Sequence, residues 1–264
     1  MQPERANSGR IGRVRLVGAG PGSADLLTLR ALRAIEGADV ILFDALVGDD
    51  IRALFPATAR CVEVGKRGHR LSTPQDFINR LMLRYARTGA SLVRLKGGDP
   101  SIFGRVAEER AFLESHGIAV EVVPGITTAS AAAAEFGFSL TTRAGARRVV
   151  LATGRTMDGA CDDWATMAAP DTTLCLYMGC ADIASISQKL IQAGMPAGTP
   201  TIAAIDVSRP GSRLVHSSVG QLADALSDER IAAPVFICIG QACADAISAA
   251  REGSTLPSQG LQAC

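Results

Sequence analysis

Aromatic side chains are scarce in these 264 residues, at 4% with a single tryptophan, and the formal net charge is only +1. Charges so evenly balanced give no chain-wide field to draw nucleic acid or an anionic membrane surface. An anionic partner would therefore have to be met by a local cluster of cations. Histidine is also sparse, with three copies, and the seven cysteines show no C-x-x-C spacing, so no metal-ligand constellation is visible. Their odd number argues against a disulfide framework. Cys175 and Cys238 lie in apolar, strand-like runs, where a thiol serves as a small core residue. No stretch approaches the eighteen or so uninterrupted apolar residues of a membrane span. The first thirteen residues, with Pro3, Asn7, Ser8 and Gly9, lack the apolar core of a signal peptide. These absences lead us to expect a reduced, cytoplasmic, metal-independent protein with neither a nucleic-acid nor a membrane partner.

What the chain does have is core. Hydrophobic residues make up 47% of it, enough for two domains of roughly 110–130 residues. Strand and helix signals alternate, which is the pattern of a parallel α/β sheet. In the first half the spacing predicts strands at 14–17, 40–43, 61–64, 92–95 and 120–123, with helices at 25–36, 74–87 and 104–116. Thr73 is placed to cap the second of these helices, with Pro74 at its first position, and Gly117 is placed to end the third. A helix over 128–136 leads into a second set. Its strands are expected at 149–152, 172–178, 201–207, 214–217 and 235–239, with helices at 183–193, 221–226 and 242–251. Only Ser-Arg-Pro-Gly and its immediate neighbours separate the strands at 201–207 and 214–217. That is too short for a parallel crossover, so an antiparallel hairpin and a mixed sheet are expected. The divisions are a flexible arm over 1–13, α/β domains over 14–126 and 127–251, and a flexible tail over 252–264.

The most informative stretch is Leu-Val-Arg-Leu-Lys-Gly-Gly-Asp-Pro at 92–100. An apolar strand ends there in a cation, two glycines, an acid and a proline. The carboxyl end of a strand in an α/β sheet is where ligands bind. Gly97 and Gly98 permit close backbone approach, although the same residues also make an ordinary surface turn. Gly-Ala-Gly-Pro-Gly at 18–22 follows the first strand with G-x-G-x-G spacing. It suits a nucleotide or S-adenosylmethionine site, a dinucleotide site less well, or simply a tight strand-to-helix turn. Lys66, Arg67 and Arg70 with His69, and again Arg143, Arg147 and Arg148, concentrate positive charge at predicted strand ends. Each is either a solvated basic loop or half of an anion clamp, a task for which the guanidinium fork is suited. Arg105 and Glu108, three apart on one helix, can face the same side as a surface pair or as site residues.

Taken in order, these segments resemble the tetrapyrrole methylases, the S-adenosylmethionine enzymes of cobalamin and sirohaem synthesis. The resemblance runs from about residue 14 to 240. It is carried by 17–22 with Leu27-Thr28, Phe-Asp-Ala-Leu-Val at 43–47, Val-Gly-Lys-Arg at 64–67, Ser-Thr-Pro-Gln at 72–75 with Ile78-Asn79, Arg94 to Pro100, and Phe-Gly-Arg at 103–105. Glu108-Glu109, Pro-Gly-Ile-Thr at 124–127, Leu-Thr-Thr-Arg at 140–143, Thr153-Gly154 and Tyr-Met-Gly at 177–179 complete it. It implies two α/β domains with the active site in the trough between them, in a homodimer. It further implies S-adenosylmethionine as methyl donor, S-adenosylhomocysteine as its product, and no metal. The implied cofactor contacts are Pro21, Gly97, Gly98, Asp99, Thr127, Thr128 and Met178, with backbone at Val207 and Val235. A tetrapyrrole substrate would meet Asp44, Lys66, Arg67, Arg105 and Arg143. Arg105, Glu108 and Arg143 stand at the chemistry, and Glu108 is the reasonable proton acceptor because an arginine is too weak an acid to serve as a base. The activity implied is methylation of uroporphyrinogen III at C2 and C7 to give precorrin-2. A member acting on another precorrin such as precorrin-4, or a cofactor-binding relative without turnover, is the alternative. A NAD-dependent oxidoreductase ranks third. The chain departs from the usual family pattern at Ala45, Thr142 and Val106, where Arg, His and Gly are common.

Overall fold

The computed structural model describes residues 11–65, 73–143, 145–154, 164–227, 231, 233–244 and 246. The chain divides into two units. One comprises Met1–Ala131 with Ser208–Pro210, the other Ala132–Val207 with Gly211–Cys264.

The first unit is built on five strands, β1 (Val14–Gly18), β2 (Val40–Phe43), β3 (Arg60–Glu63), β4 (Leu92–Lys96) and β5 (Val120–Val123). They lie in the order β3-β2-β4-β1-β5, all parallel. Parallel strands need covered faces, and both are covered. Alternation places Leu16, Leu42 and Leu92 on one face, packed with Met82 of α3 (Gln75–Arg87) and Leu113 of α4 (Val106–Ser115). Val17, Ile41, Val93 and Leu95 fill the other, against Ala31 and Ile35 of α1 (Leu29–Glu36) and Ile51 of α2 (Asp49–Arg52). Full burial of each large aliphatic side chain is worth about 1.5–3 kcal/mol. Five strand ends are thereby fixed side by side.

In the second unit β6 (Arg148–Thr153), β7 (Thr172–Tyr177), β8 (Pro200–Ile205), β9 (Arg213–Ser218) and β10 (Val235–Ile239) form a sheet ordered β6-β7-β10-β8-β9. Only β6 and β7 are parallel. The expected hairpin is β8–β9, and β10 runs antiparallel to both of its neighbours. Cys175 and Cys238 sit opposite each other on β7 and β10, fully buried. Their mutual hydrogen bonding, followed by burial, pushes the Cys175 thiol far above its ordinary range. They are core residues, as their apolar setting suggested. Helices α5 (Thr128–Glu135), α6 (Trp164–Met167), α7 (Ile183–Gln192) and α8 (Leu222–Ser227) complete the described α-helices.

Helix starts depart from expectation in three places. The helix expected over 25–36 opens as a 3-10 turn at Ala24–Leu26 and breaks at Leu27, whose ψ of 137° is extended. Helix α1 begins afresh with Thr28 as its cap, whose side chain accepts from the Ala31 amide. Pro74 is not the first helical residue of α3. Its ψ of 136° makes it the boundary residue itself, and no side chain caps that helix. Helix α4 begins at Val106, because Arg105 takes a left-handed conformation. Gly117 follows the end of α4 with φ +75°, as its position predicted. Most of the helix expected over 242–251 lies outside the described residues. The part described opens with a 3-10 turn, Gln241–Cys243.

Candidate functional site

Three glycine-bearing loops meet at the carboxyl ends of β1, β4 and β5. Gly20 and Gly98 form an antiparallel bridge, each amide donating to the other's carbonyl at 3.2 and 2.7 Å. A Cβ added to Gly125 would stand 2.3 Å from the Gly98 carbonyl oxygen and 2.9 Å from Cα of Gly18. Any side chain there would force the backbones apart. Gly98 has φ +68°, and a Cβ built on it would meet nothing within 4 Å. Its outer face is therefore open, at a place where a ligand could approach main-chain groups directly.

Asp99 organises this corner. One carboxylate oxygen accepts from the Gly125 amide at 2.9 Å; the other accepts from the Ser101 amide at 2.8 Å and from the Ser101 hydroxyl. Its first task is thus to tie the β4 loop to the β5 loop, with about one lone-pair site remaining for a ligand. Thr127 and Thr128 follow directly, half-buried at the start of α5. Ser208–Pro210 completes the same unit. The Ser23 amide donates to the Ser208 hydroxyl at 3.1 Å, and Arg209 donates to the Leu46 carbonyl.

Beside this corner, under the α3–α4 face, lies a buried group of charges. Arg94 on β4 is 3% exposed; its Nη2 donates to Asp44 Oδ1 at 2.5 Å and its Nε to Glu109 Oε1 at 3.4 Å. Lys96 Nζ donates to the same Glu109 oxygen at 2.9 Å, and Gln75 Nε2 at 3.1 Å. Burial, reinforced by repulsion from Arg94 and opposed by Glu109, lowers the Lys96 pKa. Asp44 follows β2 and is half-buried.

Arg105 and Glu108 form a two-pronged pair, Nε to Oε1 at 2.9 Å and Nη2 to Oε2 at 2.6 Å, with both side chains about half exposed. The hydrogen bond to Arg105 holds the Glu108 carboxyl below its ordinary range, and the same bond raises Arg105. Arg105 and the neighbouring Phe103 both have positive φ, near 56° and 52°. Left-handed non-glycine residues cost of order 1–3 kcal/mol each and gather at functional loops.

The second unit gathers its own expected cofactor residues at one end of its three central strands, β7, β10 and β8. Met178 follows β7, 49% exposed, with φ 55°. The Tyr177–Phe236 register sets Val235, at the start of β10, beside it. Val207 lies just past β8, next to Asp206, whose amide donates to the Pro234 carbonyl. Arg143 is exposed on a loop pinned by Thr142, whose hydroxyl accepts from the amides of Gly145 and Ala146 at 3.2 and 3.0 Å. The residue that departs from the usual His thus shapes the turn carrying Arg143. Lys66, Arg67, His69 and Arg70 lie outside the described residues.

Sequence reading did not single out Gly125, Ser101 or Glu109 as site residues. For Glu109 a signal existed: an acid four residues before Leu113, on the apolar face of its helix. Among the described residues no group of three His, Cys, Asp or Glu could hold a metal ion, and no helix is long and apolar enough to cross a membrane.

Comparison with known proteins gives a consistent result. The family model for Tetrapyrrole (Corrin/Porphyrin) Methylases matches residues 13–223. The chain is 46% identical over 237 residues to the uroporphyrinogen-III C-methyltransferase of Pseudomonas aeruginosa, covering 90% of this chain and 96% of that protein. It is 44% identical over 251 residues to the enzyme of the same name from Paracoccus denitrificans, with 94% and 86% covered. Among solved structures, uroporphyrin-III C-methyl transferase from Thermus thermophilus complexed with S-adenyl homocysteine superposes with a TM-score of 0.76 at 38% identity. That match covers 89% of this chain and 100% of the other.

Proposed function

The chain belongs to the tetrapyrrole methylases, and we propose that it methylates uroporphyrinogen III at C2 and C7, giving precorrin-2 and releasing S-adenosylhomocysteine at each transfer. The observation that carries this reading is the Gly20–Gly98 crossing with its open outer face. Exposed main chain beside half-buried Asp99, Thr127 and Thr128 offers donors and acceptors to a nucleoside and an amino-acid moiety without crowding them. The chemistry of these groups fits S-adenosylmethionine, and Pro21, Gly97, Gly98, Asp99, Thr127 and Thr128 in the first unit would hold it. Met178, Val207 and Val235 would do so in the second. When bound, that cofactor supplies a methyl group activated by a sulfonium centre.

The remaining work falls to the chain. An electron-rich pyrrole carbon is itself the nucleophile, so the protein aligns it and keeps water away. Arg105, Arg143, Lys66 and Arg67 meet the carboxylates of the ring, and Asp44 meets its pyrrole nitrogens. Glu108 accepts the proton that leaves the macrocycle. Held by Arg105 it is a weak base, so a substrate carboxylate that draws Arg105 away also frees Glu108 to act. The pair is thus an anion clamp and a base in one. The protein works on this small molecule, not on nucleic acid or at a membrane, as a cytoplasmic homodimer without a metal.

Anaerobic incubation with uroporphyrinogen III and isotopically labelled S-adenosylmethionine tests the proposal. Two labelled methyl groups per macrocycle are expected. Turnover of precorrin-4 instead, or of nothing, overturns it.

A further inference from the structure

We propose that Arg94 is a positioning residue that sets the carboxylate of Asp44 from inside the core, with Glu109 and Lys96 fixing Arg94 in turn. The proposal rests on the reading of Asp44 as a substrate contact.

Strand alternation puts Arg94 and Lys96 on the same face of β4 as Leu92, in a layer shared with Leu16 and Leu42. Leucines would fill that layer with less desolvation, and replacing a buried ion cluster by apolar residues is often neutral or stabilising. Stability therefore does not account for these charges. Their arrangement does. All three guanidinium nitrogens of Arg94 are engaged: Nε with Glu109, Nη1 with the Leu95 carbonyl at 3.1 Å, and Nη2 with Asp44. A planar fork held at three points has one orientation, and its free direction is spent on Asp44. Glu109 is fully buried and gathers Lys96, Gln75 and Arg94 on Oε1, while Oε2 has no hydrogen-bond partner among the described residues. Of the four charged side chains, Asp44 alone reaches solvent, at 28% against 3%, 6% and 0% for Arg94, Lys96 and Glu109. The cluster thus opens outward only at the acid that follows β2. Gly65 seats the backbone there, since a Cβ on it would lie 2.3 Å from the Ala45 nitrogen.

Arg94→Lys keeps the charge and removes the fork. Measured on the full chain, it is expected to lower kcat/KM for uroporphyrinogen III by about 10- to 100-fold, the worth of one charge-assisted hydrogen bond. The S-adenosylhomocysteine Kd should stay within about twofold, since the fork faces Asp44 and not the Gly98 corner. In the Asp44→Asn background the same change should have little further effect, because Arg94 acts through Asp44. An equal loss in both backgrounds shows a purely structural role and overturns the proposal, as does wild-type turnover in Arg94→Lys. Wild-type turnover in Asp44→Asn overturns the reading of Asp44 itself and the proposal with it. If Arg94→Lys fails to fold, Glu109→Gln keeps the shape while loosening the hold on Arg94, and the same two-background comparison decides.

Discussion

An alanine at position 98 would place one methyl group on a backbone with φ +68°, facing space where nothing lies within 4 Å. Two consequences follow, and they differ in size. The left-handed conformation costs an alanine about 1–2 kcal/mol. With no steric clash to add, Tm should fall by about 2–8 °C for a protein built of units this size. The methyl group also projects into the volume assigned to the cofactor. Losing a single backbone hydrogen bond there, at about 1.4 kcal/mol, weakens binding about tenfold. Gly125→Ala is the opposite case. Its Cβ would lie 2.3 Å from the Gly98 carbonyl oxygen, so main chain must move, and overpacking of this kind costs typically about 1–3 kcal/mol. Calorimetric titration with S-adenosylhomocysteine, run beside thermal melts, separates the two. Gly98→Ala should lose affinity out of proportion to its stability, whereas Gly125→Ala should lose both. A folded Gly98→Ala protein with unchanged affinity would refute the placement of the cofactor on this face.

Other expectations concern the charged groups. Folded Lys96 releases its proton below 10.5, the value at which the unfolded chain does so, so between those two points the unfolded state binds more protons and stability rises with pH. Lys96→Met should remove that alkaline rise in denaturant titrations, and an unaltered slope contradicts the assignment. Glu108→Gln should lower kcat more than it raises KM, and a change confined to KM would make Glu108 a binding residue only. Arg143→Ala should weaken tetrapyrrole binding while sparing S-adenosylhomocysteine, with parallel loss of both as the contrary result. Glu109→Ala leaves Arg94 and Lys96 buried without their shared partner and should cost about 3–5 kcal/mol in chemical denaturation.

Strand positions were legible because apolar runs bounded by glycine or proline leave little choice of period, and each predicted strand is present to within two residues at either end. The hairpin followed from connection length alone. Helix starts were less legible because they depend on single backbone angles. The extended ψ at Leu27 and the left-handed φ at Arg105 carry no compositional mark. The glycine motifs announced a close approach but not its partner. Gly125 mattered through contact with Gly18 and Gly98, residues far from it in sequence. The buried charges were hidden for a related reason. Lys96 read as the cation that ends an apolar strand, and nothing in its composition tells that Glu109 of α4, itself held by Gln75 of α3, meets both Lys96 and Arg94. Asp99 was expected to face a ligand, and three of its roughly four acceptor sites prove to be spent on its own loops.

The central claim is that the corner from Gly97 to Asp99 holds the methyl donor. Crystals grown with S-adenosylhomocysteine test it most directly. The account predicts density against the main chain of Gly97 and Gly98 with Asp99 within hydrogen-bonding reach. Density lodged at any other part of the chain would contradict it.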